Sequence, residues 1–172
     1  YPRSAKTIEI SEQAAAALGI AGGKQMLPPN ELLTAVLKAP VDLLWNGGIG
    51  TYIKSTAETH GDVGDRANNA IRINGADVRA RIIGEGGNLG MTQRGRIEAA
   101  LNGVLLNTDF IDNSAGVDTS DHEVNIKILL NDAVQRAEMT VAQRNDLLRA
   151  MTDEVERLVL IDNYRQNEAI SI

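Results

Sequence analysis

Short, β-branched apolar bursts alternate with glycine- and asparagine-rich stretches through the middle of this chain, and helical periodicity takes over towards its end. Ala80, Ile82 and Ile83 form one burst, broken by Gly84, Gly86, Gly87 and Gly90. A run with helical spacing follows over 92–101, then a second burst over 104–106 and a polar stretch, Asn113-Ser114-Ala115-Gly116. Strand, glycine turn, helix, strand, polar turn is the order of a βαβ unit, whose strands are parallel and whose ligands bind beyond the strands' carboxyl ends. Both polar turns fall at such ends. Thr92 is the expected N-cap of a helix 93–102, Asn102-Gly103 its stop, and Ile97, Ala100 and Leu101 its apolar face.

Upstream, Ser11 is placed to cap a short helix of Ala14 to Leu18 that Gly19 ends. Gly22-Gly23-Lys24-Gln25 reads as a turn. Pro28 and Pro29 introduce a second helix over 30–38, with Leu32, Leu33, Val36 and Leu37 on one stripe. Val41 to Trp45 is the first good strand, ending in Asn46-Gly47-Gly48-Ile49-Gly50. As a dinucleotide fingerprint that turn is weak, because Ile53 stands where the third glycine belongs; a strand-terminating turn accounts for it. Residues 54–78 carry Glu58, Asp62, Asp65 and Asp77. Asp62 and Asp65 are of a type to hold a metal or a ribose, but a solvated loop leading into a helix 65–71 is the simpler reading. Downstream, Ser120 to Glu123 and Thr140 to Gln143 both fit a capping box. They predict helices 120–137 and 140–167, an antiparallel hairpin with apolar stripes at Ile126, Leu129, Leu130, Ala133 and Val134, and at Leu147, Leu148, Met151, Val155, Leu158 and Val159.

The totals narrow the class. With 172 residues the chain is one domain, or a domain with an appendage. Aromatics are 3% against 43% hydrophobic residues, so the core is aliphatic. A net charge of -6 without a basic run argues against nucleic acid. No cysteine means no thiolate chemistry, and the two histidines, His60 and His122, lack paired zinc spacing, so no metal is expected. No apolar run reaches a membrane span, and the first residues carry no signal peptide, which points to the cytoplasm. The opening Tyr1-Pro2-Arg3-Ser4 reads like the middle of a longer polypeptide.

Nothing in the sequence pairs a nucleophile with a base: there is no GxSxG, no Walker loop and no HExxH. What remains is binding chemistry. Glu85-Gly86-Gly87-Asn88 and Asn113-Ser114-Ala115-Gly116 each offer backbone amides and a side-chain amide at a strand end, which suits a carboxamide or a ribose. Each Asn reads equally well as a turn residue bonding its own backbone.

Four stretches together resemble a family: Val41 to Thr51, Gly64 to Asn68, Gly84 to Gly90 and Asp112 to Asn125 are similar to the large, long-chain NAD-specific glutamate dehydrogenases of bacteria. The resemblance runs through the chain and is densest over 41–131. It implies NAD as cofactor, L-glutamate and 2-oxoglutarate as substrate and product in amino-acid catabolism, and a homo-oligomeric parent. It implies that Asn46, Gly47 and Gly48 line the cofactor cleft and that the turn Glu85, Gly86, Gly87, Asn88 brings its Asn to the nicotinamide ribose. It also implies that Asn113 meets the nicotinamide carboxamide and that Ser120, seven residues on, touches a substrate carboxylate. The shorter enzymes have Ala-Gly directly after that second Asn, where this chain has Ser114. The glycine fingerprint of the first βα turn and the catalytic Lys and Asp are expected elsewhere in the parent chain.

The expected fold is therefore α/β: a partial Rossmann-like parallel sheet of about three strands over 1–118, then a C-terminal helical hairpin over 119–172. The expected function is the nicotinamide-side wall of an NAD-dependent glutamate dehydrogenase plus one substrate contact, inactive alone. Its rivals are a dehydrogenase for another amino acid, a non-catalytic interaction module, and a free-standing nucleotide binder.

Overall fold

The computed structural model describes residues 4–23 and 25–171. Tyr1-Pro2-Arg3, Lys24 of the expected 22–25 turn, and Ile172 lie outside them. The chain divides into two compact units at Asp112/Asn113.

The first unit opens with β1 (Ile8–Ile10), α1 (Glu12–Leu18) and β2 (Gln25–Leu27), β1 and β2 pairing antiparallel. Ser11 caps α1, its hydroxyl accepting from the Ala14 N–H, and Gly19 ends it in the left-handed region at φ 66°. At three residues β1 is too short to show alternation in the sequence. Next come α2 (Pro29–Leu37), β3 (Leu43–Asn46), β4 (Ile53–Lys54), α3 (His60–Val63), β5 (Ile73–Asn74), β6 (Ile82–Glu85), α4 (Gln93–Leu101), β7 (Leu105–Leu106) and α5 (Asp109–Asp112). β3, β6 and β7 form a three-stranded parallel sheet in that order, with Asn46 level with Glu85 and Ile83 level with Leu106. The predicted βαβ unit is β6–α4–β7. β4 and β5 make a second, two-stranded parallel pair, extended by a bridge from Ile53 to Met91.

Two sequence expectations change here. The helix expected over 65–71 is instead α3 and a 3-10 turn at Arg66–Asn68. Thr59 and Asp62 form a reciprocal capping box, Gly64 stops the helix at φ 77°, and Asp65 turns its carboxylate to Thr51 N–H and Asn68. The apolar face of α4 is also reversed. Ile97 is 59% exposed and Leu101 83%, while Gly95, Arg96 and Ala99 face inward. Small residues win because the backbones meet: a Cβ on Gly95 would lie 2.7 Å from the Lys54 carbonyl carbon, and one on Gly75 2.5 Å from Gly95 O. Ala99 then packs with Ile53, Ile73, Val78, Ala80, Ile83, Met91 and Val104 in the main aliphatic core.

The second unit is helical: α6 (Ser114–Gln135), α7 (Val141–Ala150) and α8 (Thr152–Ile170). Thr140 and Gln143 form the predicted capping box. The second arm, expected as one helix, is split at Met151. The capping box expected at Ser120 does not form, since α6 starts six residues earlier and Ser120 lies within it. α6 packs chiefly on α8; Leu130 of α6 and Val159 of α8 are buried and Ile126 is half-buried. Leu129, expected on that stripe, faces out.

Gly95→Ala pushes a methyl into the Lys54 backbone, which cannot swing aside as a side chain can. It is expected to destabilise the first unit by about 1–3 kcal/mol, the usual cost of overpacking. Urea unfolding followed by circular dichroism measures it, and an unchanged midpoint would refute the close approach.

Candidate functional site

The site is built at the carboxyl ends of the parallel strands. β3 ends at Asn46 and runs into Gly47 and Gly48; β6 ends at Glu85 and runs into Gly86, Gly87 and Asn88. The parallel register sets Asn46 beside Glu85, so the two turns lie side by side. Gly86 N–H donates to Asn46 O at 2.9 Å. Beyond β7, the segment 107–112 comes to the same edge: Glu85 N–H donates to Asp112 Oδ2 at 3.0 Å, and Leu89 N–H to Asp109 Oδ2 at 2.7 Å.

Most of the glycines in this edge answer to their neighbours in the chain. The Trp45 indole lies over β6, where a Cβ on Gly84 would meet its Cε3 at 2.6 Å and one on Gly86 its Cζ2 at 2.8 Å. A Cβ on Gly87 would sit 3.1 Å from Gly48 O, and one on Gly90 only 1.9 Å from Asn46 Nδ2. Gly47, Gly48, Gly86 and Asn88 are exposed at the surface of the edge, and Asn46 is half-buried beneath them.

Glu85 does not face outward with Asn88. It is 1% exposed, and its carboxylate receives Arg96 Nη2 at 2.5 Å on Oε1 and Gly90 N–H at 3.1 Å on Oε2. Arg96 is 5% exposed and Asp109 8%, with Arg96 Nη2 3.8 Å from Asp109 Oδ1. Burial pushes the Glu85 carboxyl above its ordinary value; the Arg96 guanidinium pulls it back in part, and Asp109 adds to the rise. Three amides of the turn, Gly86, Leu89 and Gly90, thus donate inward, two of them to carboxylates. A turn so arranged is no phosphate cradle, which needs amides aimed outward and no fixed negative charge behind them. It can present a neutral or cation-tolerant surface to a ligand.

Asn113 and Ser120 belong to the second unit. Asn113 is the N-cap residue of α6, its side-chain oxygen filling the space a Cβ on Gly116 would need, at 2.7 Å. Ser120 is exposed on the same helix. Seven residues is close to two turns, so both positions share one face about 10 Å apart along the axis. Ser114, between them in sequence, donates its hydroxyl to Asn163 Oδ1 of α8 and so serves helix packing.

Asp62 and Asp65, weighed above as ligands, are spent locally. Hydrogen bonds from Thr59 lower the Asp62 carboxyl, and those from Asn68 and the Thr51 N–H lower Asp65. One group of ligating type does assemble in the second unit: Asp118, His122 and Asp162 bring one atom each within 4.8 Å of the others. His122 Nε2 is 3.4 Å from Asp118 Oδ1 one helical turn away. Asp162 is exposed, whereas His122 Nε2 and Asp118 Oδ2 are buried without a hydrogen-bond partner among the described residues, and the sequence does not link the three because Asp162 lies forty residues further on. Arg96, Asp109 and Asp112 were also missed. A charged residue three before Ala99 on a helix of small inward residues was the available signal.

The raised Glu85 value carries a sign. Folded protein holds this proton to higher pH than unfolded protein, so stability falls as pH rises from about 4.5 through the raised value. Glu85→Gln is expected to flatten that slope in urea unfolding measured against pH; an identical slope in both proteins would refute the burial argument.

Residues 1–172 match the family described as bacterial NAD-glutamate dehydrogenase, catalytic domain. The chain is 59% identical over 172 residues to an NAD-specific glutamate dehydrogenase of Halomonas elongata and 59% to one of Pseudomonas aeruginosa, in each case over all of this chain and 10% of the relative. It is 56% identical to the Mycobacterium tuberculosis protein of the same name, over 98% of this chain and 11% of the relative. The chain spans about a tenth of the length of these relatives. A family match over its whole length means that the chain belongs to the bacterial NAD-glutamate dehydrogenase family, as a piece of its catalytic domain.

Proposed function

We propose that this chain supplies the nicotinamide-side wall of the NAD cleft in a glutamate dehydrogenase that oxidatively deaminates L-glutamate to 2-oxoglutarate and ammonium. One observation carries this reading: the turns 46–48 and 85–88 lie side by side at the carboxyl edge of a parallel sheet, where such folds bind ligands. The residues fit the cofactor's nicotinamide half better than its pyrophosphate. Glu85, Asp109 and Asp112 outnumber Arg96 behind the turn, which suits the positively charged oxidised ring and repels phosphate. NAD supplies the hydride acceptor, and this chain's residues bind and orient it. Asn46, Gly47, Gly48, Gly86, Gly87 and Asn88 line the cleft, with Glu85 acting from beneath. Asn113 is assigned to the carboxamide, and Ser120 to a substrate carboxylate. The catalytic Lys and Asp and the phosphate-binding turn come from other parts of the longer polypeptide. Cytoplasmic location and a homo-oligomeric parent complete the proposal.

A second reading has its own observation. One face of the sheet is open, with Leu43, Trp45, Ile82 and Leu105 all exposed. Parallel sheets are covered on both faces, so this face is a docking surface within the larger enzyme. The two readings are compatible; only the first concerns chemistry.

In the full-length protein, Asn88→Ala is expected to weaken NAD binding about threefold to tenfold, the worth of one hydrogen bond, in calorimetry. Ser120→Ala is expected to raise KM for glutamate about tenfold or more, as loss of a bond to a charged group does. NAD affinity unchanged by Asn88→Ala would sink the cleft assignment.

A further inference from the structure

Leu89 stands out among the turn residues. It is the one non-glycine of the 84–90 stretch in the left-handed region, at φ 59°, and its side chain is 65% exposed. A leucine gains nothing in that conformation from its own backbone and here gains little from packing. Something else must hold the turn. The bond that does so is Leu89 N–H to Asp109 Oδ2, followed at once by Gly90 N–H to Glu85 Oε2. Both carboxylates face Arg96, which also donates from Nε to Asn107 O at 3.0 Å. Asp112 closes the loop, accepting from Glu85 N–H and from Asn107 Nδ2 at 3.0 Å. The turn is thus set from behind by charges on α4 and on the segment 107–112, of which Arg96 and Asp109 are buried and Asp112 half-buried.

From this we infer that Arg96 and Asp109 are positioning residues for the Asn88 turn: they fix its backbone, and through it the orientation of the Asn88 side chain towards the cofactor. The inference rests on the NAD-cleft reading and deepens it. Asp109 does this by two separable interactions, a hydrogen bond to Leu89 N–H and an ion pair with Arg96. Asparagine keeps the first and loses the second; alanine loses both. A device of this kind acts on binding, because a turn free to leave its left-handed conformation must be reordered whenever cofactor binds.

The experiment uses the full-length enzyme with NAD calorimetry, steady-state kinetics and thermal melting side by side. Asp109→Ala is expected to raise the Kd and KM for NAD about tenfold with a smaller change in kcat, as one misplaced hydrogen bond and a reordering cost would. Asp109→Asn recovers most of that affinity while remaining less thermally stable than wild type. Equal melting losses with NAD affinity unchanged in both variants would overturn the proposal, leaving a purely structural role. If Asn88→Ala weakens NAD binding and Asp109→Ala does not, positioning fails while the cleft reading stands; if neither variant weakens it, the cleft reading fails. Should Asp109→Ala not fold, hydrogen exchange on the unmodified enzyme decides: the Leu89 and Gly90 amides must exchange slowly despite the exposed turn, and rapid exchange overturns the proposal.

Discussion

A guanidinium at 5% exposure, flanked by two carboxylates, sits beneath the strand ends of the first unit. Arg96 supplies it from α4, Glu85 meets it from β6 and Asp109 from α5, so one buried charge cluster joins two elements of the βαβ unit to the short helix that follows it. Removing one partner from such a cluster strands a charge in a dry interior, at about 3–5 kcal/mol. That cost fixes where α4 lies on the sheet and turns its small residues, Gly95 and Ala99, to the core. It also uses the amides of the 85–90 turn, which decides what kind of ligand the turn can meet.

The sheet edge follows from two further constraints. Parallel register puts every strand end on one side, so Asn46, Glu85 and the segment after Leu106 converge without any contact designed for the purpose. Trp45 then needs a flat strand beneath its ring, and Gly84 and Gly86 provide it. A glycine-rich turn of this kind is often assigned to close ligand approach; here the room is taken by the chain's own indole and by Asn46. What the turn leaves exposed is the Gly86 backbone and Asn88, with Gly87 half-buried between them.

Much of this was legible in the sequence, and what was not had physical reasons. The strand–helix–strand order of 82–106 and the Ser11 and Thr140 caps depend on local chemistry, and local chemistry is what a sequence displays. The apolar pattern of α4 points to the wrong face because Ile97 and Leu101 are its most apolar residues, and no local rule says that backbone contacts at Gly75 and Lys54 exclude them. A capping box fits at Ser120 and so signals a helix start there, although α6 begins at Ser114. The turn 85–88 itself is displayed in the sequence by its glycines after a β-branched burst. The cluster that holds it is not, because Glu85, Arg96 and Asp109 meet only after β6, α4 and β7 have packed.

The central claim is that the carboxyl edge of this sheet, at 46–48 and 86–88, faces the nicotinamide half of NAD. A structure of the full-length protein with NAD bound tests it most directly. The account predicts the nicotinamide ribose within hydrogen-bonding reach of Asn88 and the pyrophosphate seated on a different turn. A pyrophosphate resting on 86–88, or a cofactor bound away from this edge altogether, would contradict it.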